Sequence, residues 1–319
     1  MNDINFLFSQ SMLAMMANSS PSTISRTAAK IEFKGLEPST RRKYNFKEAT
    51  KILFEIIGKQ YEVTKKAQVF FNFKGGTGKT SLCHQISVHM ALFGFKVLSI
   101  DCDPQAHLTH VLGVKEEEEN PTLYDVLVNG YPAEEAIIEI YPGLDLIPSD
   151  ISLTRVELPL SNKTNREKVL EKALKGIKKN YDFIFIDTNP TISILNQNAT
   201  YFSEVVNIVC ETQPLSLKGL DILIKELEDF SRAMEVMIPY RIIPNKYESK
   251  TATSQEVLGS LHHDHKDTVM ESIVRKSEDI NQSSKKRLPV CAFAKKRSMA
   301  FEDICDLSLA LLEVSSIRK

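Results

Sequence analysis

Val69-Phe70-Phe71-Asn72-Phe73-Lys74-Gly75-Gly76-Thr77-Gly78-Lys79-Thr80 is the stretch that decides the fold. An apolar run of strand character empties into a loop of three glycines, and Lys79 and Thr80 then open an amphipathic helical pattern. Lacking Cβ atoms, such glycines let successive backbone N–H groups converge on an anion, and the helix N-terminus behind them adds partial positive charge. The loop therefore reads as a phosphate cradle that runs from Lys74 through Gly75, Gly76, Thr77 and Gly78 to Ser81. Lys79 is placed to reach terminal phosphates, and the Thr80 hydroxyl to ligate Mg²⁺. The common pattern G-x-x-x-x-G-K-[ST] would put its first glycine where Phe73 stands, and a second lysine, Lys74, precedes the Gly75-Gly76 pair.

Outward from this loop, strands and helices alternate. Strands are expected at Val69–Phe73, Lys96–Asp101, Leu144–Pro148, Phe183–Asp187, Val205–Glu211 and Arg241–Pro244, with helices near 79–93, 165–179, 192–202, 215–235 and 252–262. The strands are continuously apolar, as strands covered on both faces should be. The expected fold is α/β, a doubly wound, mostly parallel sheet with the phosphate loop at a strand's carboxyl end. Carboxylates stand where such a site needs them. Asp101-Cys102-Asp103-Pro104-Gln105 ends one strand and Asp187-Thr188-Asn189-Pro190 ends another. Mg²⁺ takes octahedral oxygen ligands and keeps several waters, so a Thr hydroxyl, phosphate oxygens and carboxylates acting through water suit it.

With 319 residues, 42% hydrophobic and 25% charged, the chain has the composition of a globular protein of one large α/β domain plus an appendage, or of two domains. No apolar run approaches the roughly 18 residues that span a bilayer, and the N-terminus lacks the order of a signal peptide, so a cytoplasmic location is expected. Five cysteines without a C-x-x-C pair read as reduced, buried thiols. The net charge of −1 hides an asymmetry, because residues 1–66 hold 11 Lys+Arg against 6 Asp+Glu, leaving 29 against 35 for the rest. A basic N-terminal segment on an acidic body suggests an anionic partner.

That segment reads as short helices. Leu13, Met16 and Ala17 sit at helical spacing, Asn18-Ser19-Ser20 interrupts, and Pro21-Ser22 starts a second helix with Ile24, Ala28 and Ile31 on one face. Asn45 with Glu48 forms a capping-box start for a third helix to about Gly58, and Lys59–Ala67 reads as a linker. Two helices across a tight turn are a helix-turn-helix pattern. Its second helix would present Ser22, Thr23, Ser25, Arg26 and Lys30, and a basic wing Arg41, Arg42 and Lys43; a charged helix in a dimerisation arm is the other reading. Near the C-terminus, residues 275–297 hold 8 basic against 2 acidic side chains, beginning with Arg275 and Lys276. This strip suits sequence-independent phosphate contact or is a solvated charged face. Phe301–Val314 reads as a helix docked on the body.

Three motifs in this order carry a resemblance: Lys74-Gly75-Gly76-Thr77-Gly78-Lys79-Thr80, Asp101-Cys102-Asp103-Pro104-Gln105 and Asp187-Thr188-Asn189-Pro190, with Leu146-Ile147-Pro148-Ser149 as a weaker match. The sequence resembles the ParA-type partition ATPases of the deviant-Walker family that also includes MinD-like proteins, over residues 69 to about 245. The resemblance implies ATP and Mg²⁺ as cofactors and a homodimer closed over two ATP molecules. It also implies Lys74 crossing to the partner's phosphates, Lys79 on the β- and γ-phosphates, Thr80 and Asp187 at the metal, and Asp101 orienting Lys79 or the metal shell. Asp103 is the candidate for positioning the attacking water. Asn245 reads adenine or caps a turn. In these terms 1–66 is a DNA-binding module and 67–319 the ATPase domain. The implied partners are non-specific DNA, operator DNA and a ParB-type centromere-binding protein, with association to the nucleoid and no membrane. A MinD-like membrane-cycling ATPase and an ATP-modulated repressor are the alternatives. One departure is Asn189, where the family more usually has proline.

Overall fold

A computed structural model describes residues 6–31, 42–115, 119–295 and 298–319. The chain enters through an antiparallel ribbon of β1 (Phe8–Ser9) and β2 (Lys43–Tyr44), with α1 (Gln10–Met16) and α2 (Pro21–Lys30) between them. Ser20 caps α2 by accepting the Thr23 N–H at 3.2 Å, and Pro21 occupies the first turn, where its missing N–H costs nothing. In α3 (Phe46–Ile56), the Asn45 side chain accepts the Glu48 N–H and the Glu48 carboxylate accepts the Asn45 N–H, both at 3.0 Å, completing the capping box.

The stretch expected as a linker is instead structured. It carries β3 (Tyr61–Val63), which pairs antiparallel with the C-terminal β11 (Ser316–Arg318). Nor do the N-terminal helices stand apart from the body. Phe8, Leu13, Met16, Ile24, Phe46 and Leu53 share one apolar core with Leu82, Ile86 and Met90 of α4 (Lys79–Leu92) and with Phe301, Ile304 and Leu311 of α13 (Met299–Val314). Docking α13 on the body buries nine of its residues, Ala300 to Leu312.

The main sheet has seven strands among the described residues: β4 (Ala67–Phe71), β5 (Val97–Cys102), β6 (Ile138–Tyr141), β7 (Leu144–Ile147), β8 (Phe183–Thr188), β9 (Val205–Glu211) and β10 (Tyr240–Asn245). Their order is β10-β9-β4-β8-β5-β7-β6, parallel throughout except for β6 against β7. This is the doubly wound sheet expected. Side chains alternate between two cores: Phe183 and Phe185 of β8 join the layer of α4 and α13, while Ile184 and Ile186 join the opposite one. That opposite layer holds α6 (Glu157–Ser161), α7 (Val169–Leu174), α8 (Ile194–Phe202), α9 (Pro214–Met234) and α10 (Ala252–Asp264). On the first side lie α5 (His107–Val111), α11 (Glu278–Lys286) and α12 (Val290–Phe293).

Several boundaries differ from expectation for local reasons. β4 stops at Phe71 because Asn72 turns its side chain to the neighbouring strand, donating to the Val209 carbonyl at 2.8 Å and accepting the Lys74 N–H at 2.9 Å. β7 stops at Ile147, before Pro148, which has no N–H for the ladder. The single helix expected over 165–179 is broken into a 3₁₀ turn (Arg166–Lys168), α7 and a second 3₁₀ turn (Lys178–Asn180). The short edge strand β6 and helix α11 lie where no element was expected.

At the bottom of the sheet Arg241 ties β10 to the end of α13. Its guanidinium donates to the Ser315 hydroxyl at 3.0 Å and to the Val314 carbonyl at 2.6 Å, and burial lowers its pKa to about 10. A cation at a helix C-terminus gains from the dipole as well as from the two hydrogen bonds. Arg241→Ala is therefore expected to lower unfolding free energy by about 2 kcal/mol in urea titrations, the worth of hydrogen bonds to a charged group.

Candidate nucleotide site

The phosphate loop occupies the carboxyl end of β4, where the chain order reverses between β9 and β8, the position at which open α/β sheets bind ligands. Gly78 takes φ +99°, and a Cβ there would lie 2.3 Å from the Asn245 side-chain nitrogen. That nitrogen donates to the Thr77 carbonyl at 2.6 Å. Asn245, expected to read adenine or to cap a turn, lines the cleft from the end of β10, where its amide braces the phosphate loop and is 4% exposed. Behind the loop, Lys79 is 6% exposed, its Nζ 3.4 Å from the Lys74 carbonyl. Burial lowers its pKa, and the charges of Asp187 and Asp103 act against that.

The three carboxylates expected here are brought together but differ in their bonding. Asp101 and Asp187 are register partners on β5 and β8. Asp101 has both oxygens engaged: Oδ1 accepts the Asp103 N–H at 3.0 Å, and Oδ2 accepts the Thr109 N–H and hydroxyl, each at 2.8 Å. Burial raises its pKa to about 6, and these donors pull it back only in part. With its oxygens so used, Asp101 anchors the loop after β5. Asp187 is the opposite case. It is fully buried, and neither oxygen has a hydrogen-bond partner, although Thr80 approaches it. Burial, then the Asp101 charge, drives its pKa far up. An orphaned carboxylate beside a P-loop hydroxyl is an expensive arrangement unless a cation and its water shell complete it, so the donor set fits Mg²⁺.

Asp103 faces the cleft. One oxygen accepts the Gln105 N–H at 2.9 Å; the other points towards His107, 3.9 Å from its Nδ1. Ser149 holds the Asp103 carbonyl at 2.8 Å and its own N–H donates to the Thr109 hydroxyl at 3.0 Å, so the end of β7 pins the loop of β5. The cleft measures about 1000 Å³ and is lined by Gly75, Gly76, Gly78, Lys79, Thr80, Ser81, Asp103 and Asn245 from the expected set, with the first turns of α11 as its far wall. Thr77 is buried with its hydroxyl unpartnered.

Lys74 does not line its own protomer's cleft. Its Nζ lies 2.5 Å from Glu211 at the end of β9. Glu211 and Lys246 were not anticipated from sequence, yet the signal existed: Glu211 closes the seven-residue, apolar-rich β9, much as Asp101 and Asp187 stand next to last in β5 and β8.

The expected DNA contacts are distributed unevenly. On α2, Ser22, Ser25, Arg26 and Lys30 are exposed and Thr23 is half-buried, sharing a 3.0 Å hydrogen bond with Ser20. Arg42 pairs with Glu48 at 3.3 Å and stacks on Tyr44, Lys43 is exposed, and Arg41 lies outside the described residues. Arg275 and Lys276 sit at the cleft wall: Arg275 is half-buried and clamped by Asp303 and by Glu302, and the exposed Lys276 pairs with Glu248 at 2.9 Å. Their charges are largely answered within the chain. Lys296 and Arg297 of the same strip also lie outside the described residues.

Residues 65–238 match the AAA domain family, and 227 residues align at 32% identity with the cell division protein PomZ of Myxococcus xanthus, covering 70% of this chain and 71% of that one. The chain belongs to the ParA-type partition ATPase family. The chromosome partitioning protein ParA of Caulobacter vibrioides is 28% identical over 226 residues, covering 70% of this chain and 85% of its own. A plasmid partition protein of Borrelia burgdorferi, solved bound to AMPPNP, shares the fold with a TM-score of 0.65 at 24% identity, over 77% of this chain and 99% of that one. In this cleft the loop amides and Lys79 could hold phosphates, and Thr80 and Asp187 could hold a metal ion, with Asp103 facing the same space.

Proposed function

We propose that this ParA-type protein is an ATP-hydrolysing partition or positioning ATPase whose ATP-bound state is a homodimer that binds DNA without sequence preference. Its cofactors are ATP and Mg²⁺. The observation that carries the reading is Asp187, buried beside Thr80 and Lys79 with no hydrogen bond to either oxygen, together with a second motif lysine, Lys74, whose Nζ is bound to Glu211 at the end of β9. A lysine of little use to one protomer's nucleotide can serve the nucleotide of a second protomer. There it neutralises charge that develops on the phosphoryl group. Asp103 orients the attacking water, since carboxylates as a class are weak bases near neutrality and alignment contributes more than proton abstraction.

Residues 1–66 are assigned to specific contact with operator DNA through the exposed face of α2, and 67–319 to the ATPase cycle, stimulated by a ParB-type partner and carried out on the nucleoid. The names borne by relatives, chromosome partitioning protein and cell division protein, support a partition or positioning role. No described helix is long and apolar enough to cross a membrane.

The test is co-sedimentation with random-sequence DNA and with anionic liposomes. ATP and Mg²⁺ should confer DNA binding that ADP or EDTA does not, with affinity falling steeply as salt rises because counterions are released. Binding to liposomes in the absence of DNA, with none to DNA, would replace this reading by a membrane-cycling one. Truncation of residues 1–66 is not a clean probe, because it would strip Leu13, Phe46 and Leu53 from the shared core.

A further inference from the structure

Three strand ends meet above the sheet at one carboxylate. Glu211, last residue of β9, is 6% exposed. Its Oε2 takes the Lys74 Nζ at 2.5 Å and its Oε1 takes the Lys246 Nζ at 2.7 Å. Lys246 follows β10 in a left-handed conformation, φ +54°, and its Nζ also donates to the Gly76 carbonyl of the phosphate loop. Burial pushes the Glu211 carboxyl up, but the two lysines together outweigh it and hold it below its ordinary value. One buried anion thus serves two cations, one from the phosphate loop and one from the neighbouring strand.

The sharing has a consequence for release. Where a buried carboxylate has a single cationic partner, removing that partner leaves an uncompensated charge and is strongly disfavoured. Here the departure of Lys74 leaves the Glu211–Lys246 pair intact and electrically neutral. We propose that Glu211 is a parking site that holds Lys74 within the free protomer, and that Lys246 keeps Glu211 paired when Lys74 crosses to the nucleotide of a second copy of this chain. Glu211 and Lys246 are then positioning residues that set how much nucleotide is needed to form the dimer. This rests on the nucleotide-switched homodimer proposed above.

The two flanking substitutions should act with opposite signs. Glu211→Gln removes the anion but keeps the shape, so Lys74 is freed and the AMPPNP concentration at half-maximal dimer, read by light scattering with Mg²⁺, should fall about fivefold, within the range of partly buried ion pairs. Lys246→Met leaves Lys74 as the only partner of Glu211, so the same midpoint should rise. The double variant should match Glu211→Gln if Lys246 sets the midpoint through Glu211 and not through its bond to the Gly76 carbonyl. A midpoint that is unchanged or raised in Glu211→Gln overturns the proposal, as does a double variant that stays raised, which would mark Lys246 as a simple brace of Gly76. Absence of any AMPPNP-dependent dimer in the wild type overturns the dimer reading itself, whereas a wild-type dimer with unshifted variants overturns only the parking site.

Discussion

Asp103→Ala is expected to load ATP and to persist in the DNA-bound state, while Lys79→Ala loses that state altogether. The difference follows from where each side chain sits. Lys79 is 6% exposed beneath the loop, with Asp187 and Asp103 as its charged neighbours. Deleting it removes the cation that answers the terminal phosphates, and it leaves two acidic groups facing an anion. Loss of one well-placed electrostatic donor is worth about 10²- to 10³-fold in turnover, and the loss of ATP-dependent association should be of the same order. Asp103, in contrast, braces no part of the loop with its outward oxygen: one oxygen takes the Gln105 N–H and the other faces the cleft near His107. Its removal should spare binding and lower hydrolysis about 10²-fold, through loss of water alignment. The measurement is ATP turnover alongside DNA co-sedimentation over time after ATP is added. Equal loss of DNA binding in both variants would leave Asp103 with a structural role only.

The same contrast shows what could be read from sequence. The six principal strands were legible because each is a continuous apolar run, and the site was legible because three motifs end such runs. What could not be read was how the ends are bonded to each other. Asp101 and Asp187 look alike in sequence, each an acid after an apolar strand. Yet Thr109, eight residues downstream of Asp101, satisfies one, while the other has only the nearby Thr80 hydroxyl and no hydrogen bond of good geometry. Arg275 and Lys276 read as part of an open basic strip, but Asp303, Glu302 and Glu248, distant in sequence, answer both. The N-terminal helices were legible one by one from caps and spacing. Their burial is against α4 and α13, and α13 lies about 250 residues further along the chain, a contact that no local pattern encodes. Charge density in a sequence counts side chains without their partners, and that is where the reading and the structure part.

His89→Leu is expected to stabilise the protein, and to do so increasingly as pH falls. His89 lies inside α4 with both ring nitrogens unpartnered, packed edge-on to Phe93 and Phe301. Burial drives its pKa down to about 3, with the nearby His84, itself lowered to about 4, adding to the effect. Near neutrality the imidazole is uncharged in both folded and unfolded chains, so the gain from an apolar side chain of similar volume is the removed desolvation of two unsatisfied polar atoms, about 1 kcal/mol. Below the ordinary histidine value of 6.5 the unfolded chain takes up a proton that the folded chain refuses, so stability is lost as pH falls from 6.5 towards 3. Two pH units below that value the histidine costs about 3 kcal/mol more, at roughly 1.4 kcal/mol per unit. The wild-type profile alone would hide this. Asp101 and Asp187 have raised values in the folded state, so they take up protons on folding over much of the same range and offset the two histidines. Comparing urea unfolding of His89→Leu and wild type at pH 7 and pH 4.5 isolates the histidine, since the carboxylates are common to both. The variant's advantage should widen from about 1 to about 4 kcal/mol. A difference that stays constant with pH would mean that His89 finds a proton partner or a water in the folded chain and titrates there as it does unfolded.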